Sequence, residues 1–484
     1  MSQPAVTITE VDGQLGVLPP SEGKLYALVG PSYSGTVNQP GTYARIKDVV
    51  AAYTAGPLVE AAAHYIERYG RPVVLVRTTA SVAGVPGTLV PTVAGTSVPT
   101  LDVAGIPNDD YEGVLTVVNG GTIGSAGITY KWSLDGGRTF SPVSALGTAN
   151  TFVFPGTGGV NLDFAAGTLV AGDTMSFRTT APCWNGTDLG AALDALAASA
   201  ATWEIVHVVG PVDSTSFDLI DLKVSGMATN GKYKAWVANT RVPTIGETEA
   251  TYLSTLNAAF TSDVSVYGEL CAGACKLTSS VNGRKYKRPV SFPVAARGAF
   301  VSPEVNIADL KLGALQGVSI RDANGNPDEH DESINPGLDD ARFTVLRTWD
   351  GYPGVYVNRP RLFSAPGSDF QLLAHRRVLN IAHEALRLYF MLRLSSPVEV
   401  NKATGFITEA AALEIESGAL IAMQSALLAK PMASGVEFVL SRTDNLLSTK
   451  TLTGDARVIP LGYPEQINIT LGFKNPALQI SSAA

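Results

Sequence analysis

Apolar positions near the start of the chain follow two different periods. Leu25–Val29 and Val73–Val76 are short unbroken apolar runs, and between them Val59, Ala62, Ala63 and Ile66 recur at helical spacing behind a Gly/Pro-rich loop. Strand, helix and strand in that order predict a β-α-β unit in a parallel sheet buried on both faces. The pattern returns later. A helix capped by Asp188 leads to a buried strand, Ile205–Val209. Then come a helix after Asp213, a strand at Tyr233–Asn239, a helix over Glu247–Phe260, and strands at Val264–Leu270 and Val290–Val294. Strands alternating with helices predict a doubly wound α/β core.

From about residue 82 to 180 the helical period disappears. Short alternating segments begin at Gly113, Ile128 and Asp173, separated by Gly, Thr, Ser and Pro. The turn Asp135-Gly136-Gly137 is a hairpin signal. This region reads as a β-sandwich inserted into the α/β core, since α/β character resumes after it. Beyond a polar, acidic loop at Gly317–Leu338 come an apolar strand, Phe343–Trp349, and two long helices, Asp369–Leu394 and Thr408–Ala429. Two alternating segments close the chain, Val436–Leu440 and Ile467–Phe473, read as a hairpin-type pair. At the other end Val6, Ile8 and Val11 alternate with no local partner, so that strand must fray or pair at a distance.

At 484 residues, 45% of them hydrophobic and 16% charged, the chain has ample apolar surface for about three domains. A net charge of −8 argues against nucleic acid as the main partner. Cys183, Cys271 and Cys275 suit buried thiols better than a disulfide framework, which fits assembly in a reducing cytoplasm. The opening MSQPAVTITE lacks the basic and apolar regions of a signal peptide, and Glu414 and Glu416 interrupt the weakly charged stretch Ala410–Ala429, so no membrane partner is expected. Gly30-PSYS-Gly35-Thr36 lacks the lysine of a phosphate-binding loop, so no nucleotide cofactor is expected. Asp322–Asp328 resembles a calcium loop but has Pro327 and Ser333 where Gly and Glu are required; it reads as solvated. His375 and His383 are too far apart on one helix to share a metal. No motif supplies a specific reason to propose catalysis. The charge feature that stands out is the helix bearing Arg376, Arg377, Arg387 and Arg393 beside Leu372, Leu379, Leu386, Tyr389 and Phe390. It reads as a solvated amphipathic face or as an electrostatic face for an acidic partner.

Two stretches carry a family resemblance. The opening strand, Gly30-Pro31, helix and Val76-Arg77, together with the later run through Arg347, Gly351, Gly354, Ser368-Asp369 and Arg376-Arg377, are similar to contractile tail sheath proteins of myophages and related injection machines. The resemblance implies a non-enzymatic structural subunit of a virion tail, assembled in the bacterial host cytoplasm. It would polymerise into a helical homo-oligomer of stacked hexameric rings around a tail tube protein, with baseplate and tail terminator proteins as further partners. Contraction would drive the tube through a target envelope. The expected organisation is an N-terminal arm (1–22), an α/β core (23–84 with 181–342), an inserted β-sandwich (85–180), a tube-facing α+β domain (343–474) and a C-terminal arm (475–484). Inter-subunit strand exchange is expected at Val6, Ile8 and Val11 and at Val436, Phe438, Leu440, Ile467, Ile469 and Leu471. Arg376, Arg377 and Arg387 are the tube-facing candidates. The alternative that the residues leave open is a surface or carbohydrate-binding protein whose sandwich sits on an α/β enzyme scaffold, with Tyr130 and Trp132 as its aromatic platform.

Overall fold

The computed structural model describes residues 25–102, 107–244, 246–322 and 324–473. They form two compact units, one ending at Leu392 and one beginning at Arg393. The first is built on a six-stranded sheet of β1 (Leu25–Gly30), β2 (Gly41–Tyr43), β3 (Val73–Arg77), β4 (Trp203–Pro211), β5 (Ala235–Asn239) and β6 (Gly268–Cys271), in the spatial order β6-β5-β4-β1-β3-β2. Every neighbouring pair is parallel except β2 with β3. The five parallel strands therefore run 2-1-3-4-5 in chain order, a doubly wound arrangement.

The unbroken apolar runs follow from burial on both faces. Tyr26, Leu28, Val73 and Leu75 pack beneath α1 (Ile46–Tyr53) and α2 (Pro57–Tyr69), while Ala27, Val29, Val74 and Val76 pack beneath α3 (Gly186–Ala198), α4 (Ser214–Thr229) and α5 (Glu249–Ala259). The helix boundaries are chemically marked. Pro57 opens α2 and Gly70 closes it with a left-handed φ of 62°. Asn185, rather than Asp188, is the N-cap of α3, and the two form a reciprocal capping box. Asp213 and Thr248 cap α4 and α5.

After β6, the hairpin β7 (Ala274–Thr278) and β8 (Lys285–Pro289) leads into α6 (Ser291–Phe300), which joins α2 on the first face of the sheet. The strand expected at Val290–Val294 is thus the first turn of a helix. A five-residue apolar run does not separate the two states, and Pro293 is tolerated in a first turn.

Residues 85–180 form antiparallel sheets of their own. The strands around Glu112–Asn119, Thr129–Ser133 and Thr174–Thr180 face a smaller sheet made by Pro99–Asp102, Thr151–Val153 and Asn161–Phe164. Leu115, Val117, Met175 and Phe177 share a core with Phe152, Phe154, Leu162 and Phe164, and the cluster takes in Tyr286 from β8.

The chain from Phe343 does not begin a new body. Thr344 accepts from Ala272 and donates to Leu270, extending the register of β6, and Phe343 and Val345 lie in the α/β core. The hairpin β9 (Leu346–Trp349) and β10 (Tyr352–Val357) and the helix α7 (Leu373–Met391) belong to this same unit. The boundary expected at 343 is therefore displaced to 392, because the apolar strand that seemed to open a domain completes an existing core. The second unit holds α8 (Glu409–Leu427), β11 (Ala433–Leu440) and β12 (Gly454–Pro460). Thr408 caps α8, whose Ala412, Ile415, Ala419, Met423 and Leu427 form the buried stripe.

Candidate assembly surface

β11 pairs with β12, not with Ile467–Phe473: Val436 lies opposite Val458, Phe438 opposite Ala456 and Leu440 opposite Gly454. Sequence alternation missed β12, whose Gly454, Asp455, Ala456 and Arg457 carry little apolar signal. Gly454 has a packing reason to be glycine, since a Cβ there would come within 2.7 Å of the Phe438 ring. Phe438 and Leu440 are interior. Among the described residues the β11–β12 sheet has only two strands, so each keeps an open edge.

Residues 461–473 join no ladder among the described residues. Ile467, Ile469 and Leu471 are 72%, 82% and 94% exposed, and Phe473 is fully exposed. They alternate with Asn468, Thr470 and Gly472, the pattern of a strand with one apolar face. Burying four such side chains is worth about 1.5–3 kcal/mol each, and ladder hydrogen bonds add about 0.5–1.5 kcal/mol each. Ordering the backbone costs about 1–2 kcal/mol per residue. Pairing is thus favourable only where an edge and an apolar acceptor surface are both supplied. Val6, Ile8 and Val11 lie outside the described residues.

The arginines of α7 divide. Arg376 and Arg377 are both buried, so the solvated or partner-facing charge expected there is corrected. Arg377 grips Glu204 at the start of β4, with Nε 2.7 Å and Nη2 3.3 Å from its carboxylate. It also donates to the carbonyls of Gly298 and Val301 at the end of α6. Arg376 donates to Asn380 and lies 4.4 Å over the Tyr267 ring, and burial lowers its pKa. Arg387 alone of the three candidates is exposed. Helical periodicity could not show this, because Glu204, Gly298, Val301 and Tyr267 sit far away in sequence.

Other charges expected in solvent are also interior. In the acidic loop, Glu329, His330, Asp331, Glu332 and Asp339 are all buried. Lys287 pairs with Glu329 at 3.0 Å, Lys276 pairs with Asp328, and Asp331 accepts from both the amide and the hydroxyl of Thr348. His330 bridges Glu249 and Glu332 at 2.8 and 2.9 Å. Burial opposes its charge, but the two carboxylates together outweigh that and raise its pKa to about 9. Arg288 on β8 makes a bidentate bridge to Asp109 at 2.8 and 2.7 Å, tying the inserted sheets to the α/β core. Glu269 on β6 is fully buried with no hydrogen-bond partner for either carboxylate oxygen. Burial pushes its carboxyl up to about 8.

The Gly30–Thr36 loop turns its carbonyls onto a guanidinium: Arg77 donates to Ser32 O and Gly35 O at 3.0 and 2.8 Å. The amides of Tyr33 and Ser34 are taken by Ala55 and Tyr53 carbonyls. In the inserted sheets Tyr130 is buried against Phe152, and Arg284 caps Trp132 at 4.8 Å, so these rings form no exposed platform. Among the described residues no group of three His, Cys, Asp or Glu is placed to hold a metal ion, and no helix is long and apolar enough to cross a membrane.

Residues 3–361 match the family model described as DUF2586, N-terminal domain. No curated protein matches the sequence. Among solved structures, the fold is similar to the sheath complex of PVC, an extracellular contractile injection system, in its contracted state: 10% identity, a TM-score of 0.53, and 99% of each chain covered. It is also similar to a chain of the anti-feeding prophage baseplate, at 10% identity and a TM-score of 0.50, covering 98% of this chain and 100% of that one. A sheath tail protein from Listeria innocua aligns at 14% identity and a TM-score of 0.45, covering 92% of this chain and 97% of its own.

Proposed function

Because the chain belongs to the DUF2586 family and shares its fold with a contractile sheath complex, we propose that it is a structural, non-enzymatic subunit of a contractile tail sheath. The subunit polymerises with copies of itself as a helical sleeve around a tail tube, between baseplate and terminator proteins. Contraction of that sleeve drives the tube through an envelope. The location that follows is the tail of a phage or injection particle.

The observation that supports this reading is that the second unit carries both an exposed alternating segment and a sheet with open edges. Ile467, Ile469 and Leu471 alternate on an exposed segment outside any ladder, while β11 and β12 form a sheet with open edges. A strand contributed by one subunit to another's sheet is held by main-chain hydrogen bonds, which survive rigid-body rotation of the domains that carry them. Val6, Ile8 and Val11 are proposed as a second donor. Of the α7 arginines only Arg387 is retained as a candidate for tube contact, because its charge is accessible. The carbohydrate-binding alternative is not favoured, since Tyr130 and Trp132 are used inside the inserted domain.

The test is Ile469→Asp with Leu471→Asp in the full chain. Both side chains are exposed, so the folded subunit should keep its urea midpoint while sedimentation shows loss of polymer. A variant that polymerises normally would overturn strand donation by this segment. Ile8→Pro, which removes a ladder donor, tests the other arm in the same way.

A further inference from the structure

A cavity of about 300 Å³ opens between the C-terminal ends of α2 and α6, walled by Arg68, Tyr69, Arg297 and Phe300 and by the following loop at Leu312 and Leu315. That volume is at the lower end of ligand cavities, about 300–1,000 Å³. Its polar lining is one-sided. Arg68 and Arg297 are both cations, no carboxylate lines the cavity, and among the described residues neither arginine is paired with one. Arg297 is held in place by the carbonyls of Gly313 and Ala314, both at 2.8 Å. The Arg68 Nε has no hydrogen-bond partner. His64, only 5% exposed, also lines the cavity, and its Nδ1 is unpartnered. Burial, with help from the Arg68 charge, lowers the His64 pKa to about 4, so the ring is neutral and able to donate or accept one bond.

The buried Arg68 Nε and His64 Nδ1, both without a partner, are costly unless the site serves to hold something. The apolar lining is Leu312, Leu315 and Phe300, whose ring is stacked on Tyr69 at 4.5 Å and also carries the Arg71 guanidinium at 4.9 Å. We infer that this cavity binds a small organic anion, a carboxylate or phosphate monoester, with its charged group on Arg68 and Arg297 and its apolar body against Phe300. This is independent of the sheath assignment, since none of these residues belongs to the strand-donating segments.

Calorimetric titration of the full chain with phenyl phosphate, phenol and inorganic phosphate tests it. Saturable one-to-one binding of phenyl phosphate is expected, at least tenfold tighter than either fragment. Arg68→Gln, whose folding is checked by its urea midpoint, should weaken it at least tenfold, and Leu312→Trp should abolish it by filling the cavity. Phenol binding as tightly as phenyl phosphate overturns the anion, and inorganic phosphate binding as tightly overturns the apolar body. No binding, or unchanged binding in Arg68→Gln, overturns the site. Binding seen only in polymer, and lost in the Ile469→Asp/Leu471→Asp chain, would instead assign the cavity to a subunit contact and overturn the small-ligand reading.

Discussion

Replacing Arg377 by Met should damage folding rather than tube recognition. The side chain is 4% exposed and its Glu204 partner 10%, so truncation takes from a buried carboxylate the guanidinium that grips it. Breaking a buried pair of this kind costs about 3–5 kcal/mol. The carbonyls of Gly298 and Val301, 2.8 and 3.0 Å away, lose their donor as well. These losses share one guanidinium and do not add, so a destabilisation of about 4 kcal/mol is expected, close to a thousandfold in the folding equilibrium. Trp203, buried beside Glu204 on β4, reports on this site. Urea unfolding followed by tryptophan fluorescence should show a markedly lower midpoint for Arg377→Met, whereas Arg387→Met, at an exposed position, should lie within about 0.5 kcal/mol of the parent. Converting both partners, Glu204→Met with Arg377→Met, should recover much of the loss, since an apolar replacement of a buried pair is often neutral. An Arg377→Met chain that unfolds like the parent but fails to assemble on a tube would refute this reasoning and return the residue to the interface.

Other perturbations separate the remaining roles. Glu269 has its pKa raised from 4.5 to about 8, so the folded state holds a proton that the unfolded state releases. Stability should be full below pH 4.5 and fall as pH rises through 8, by at most about 5 kcal/mol. Urea midpoints of Glu269→Gln should lose that slope, and an unchanged slope would contradict the assignment. Arg288→Met leaves Asp109, 3% exposed, without its partner, so limited proteolysis should cut residues 85–180 earlier than in the parent. Deleting 85–180 outright should destabilise the rest unless Tyr286 is also made polar, because its ring is buried against that segment.

The parallel core was legible because each strand, buried on both faces, must be an unbroken apolar run, and Ala27–Val29 and Val73–Val76 are such runs. The inserted sheets were legible from alternation at Glu112–Asn119 and Thr174–Thr180, which have one face in a core. What failed was whatever depends on a distant partner. Arg377 looked like a surface charge because its local pattern is that of an amphipathic helix; only the fold brings Glu204 beneath it. The acidic loop looked solvated for the same reason, with Lys276, Lys287 and Thr348 supplied from other elements. The partner of β11 was misassigned because Ile467–Phe473 is the better strand by composition, while β12 is weak in sequence and is held by register and by the small Gly454 against Phe438.

The most direct measurement is negative-stain electron microscopy of the purified full-length chain at rising concentration. A sheath subunit should give hollow tubes or stacked rings with regular helical order, lost in the Ile469→Asp/Leu471→Asp chain. Discrete monomers at every concentration, with the folded subunit intact, would contradict the assignment.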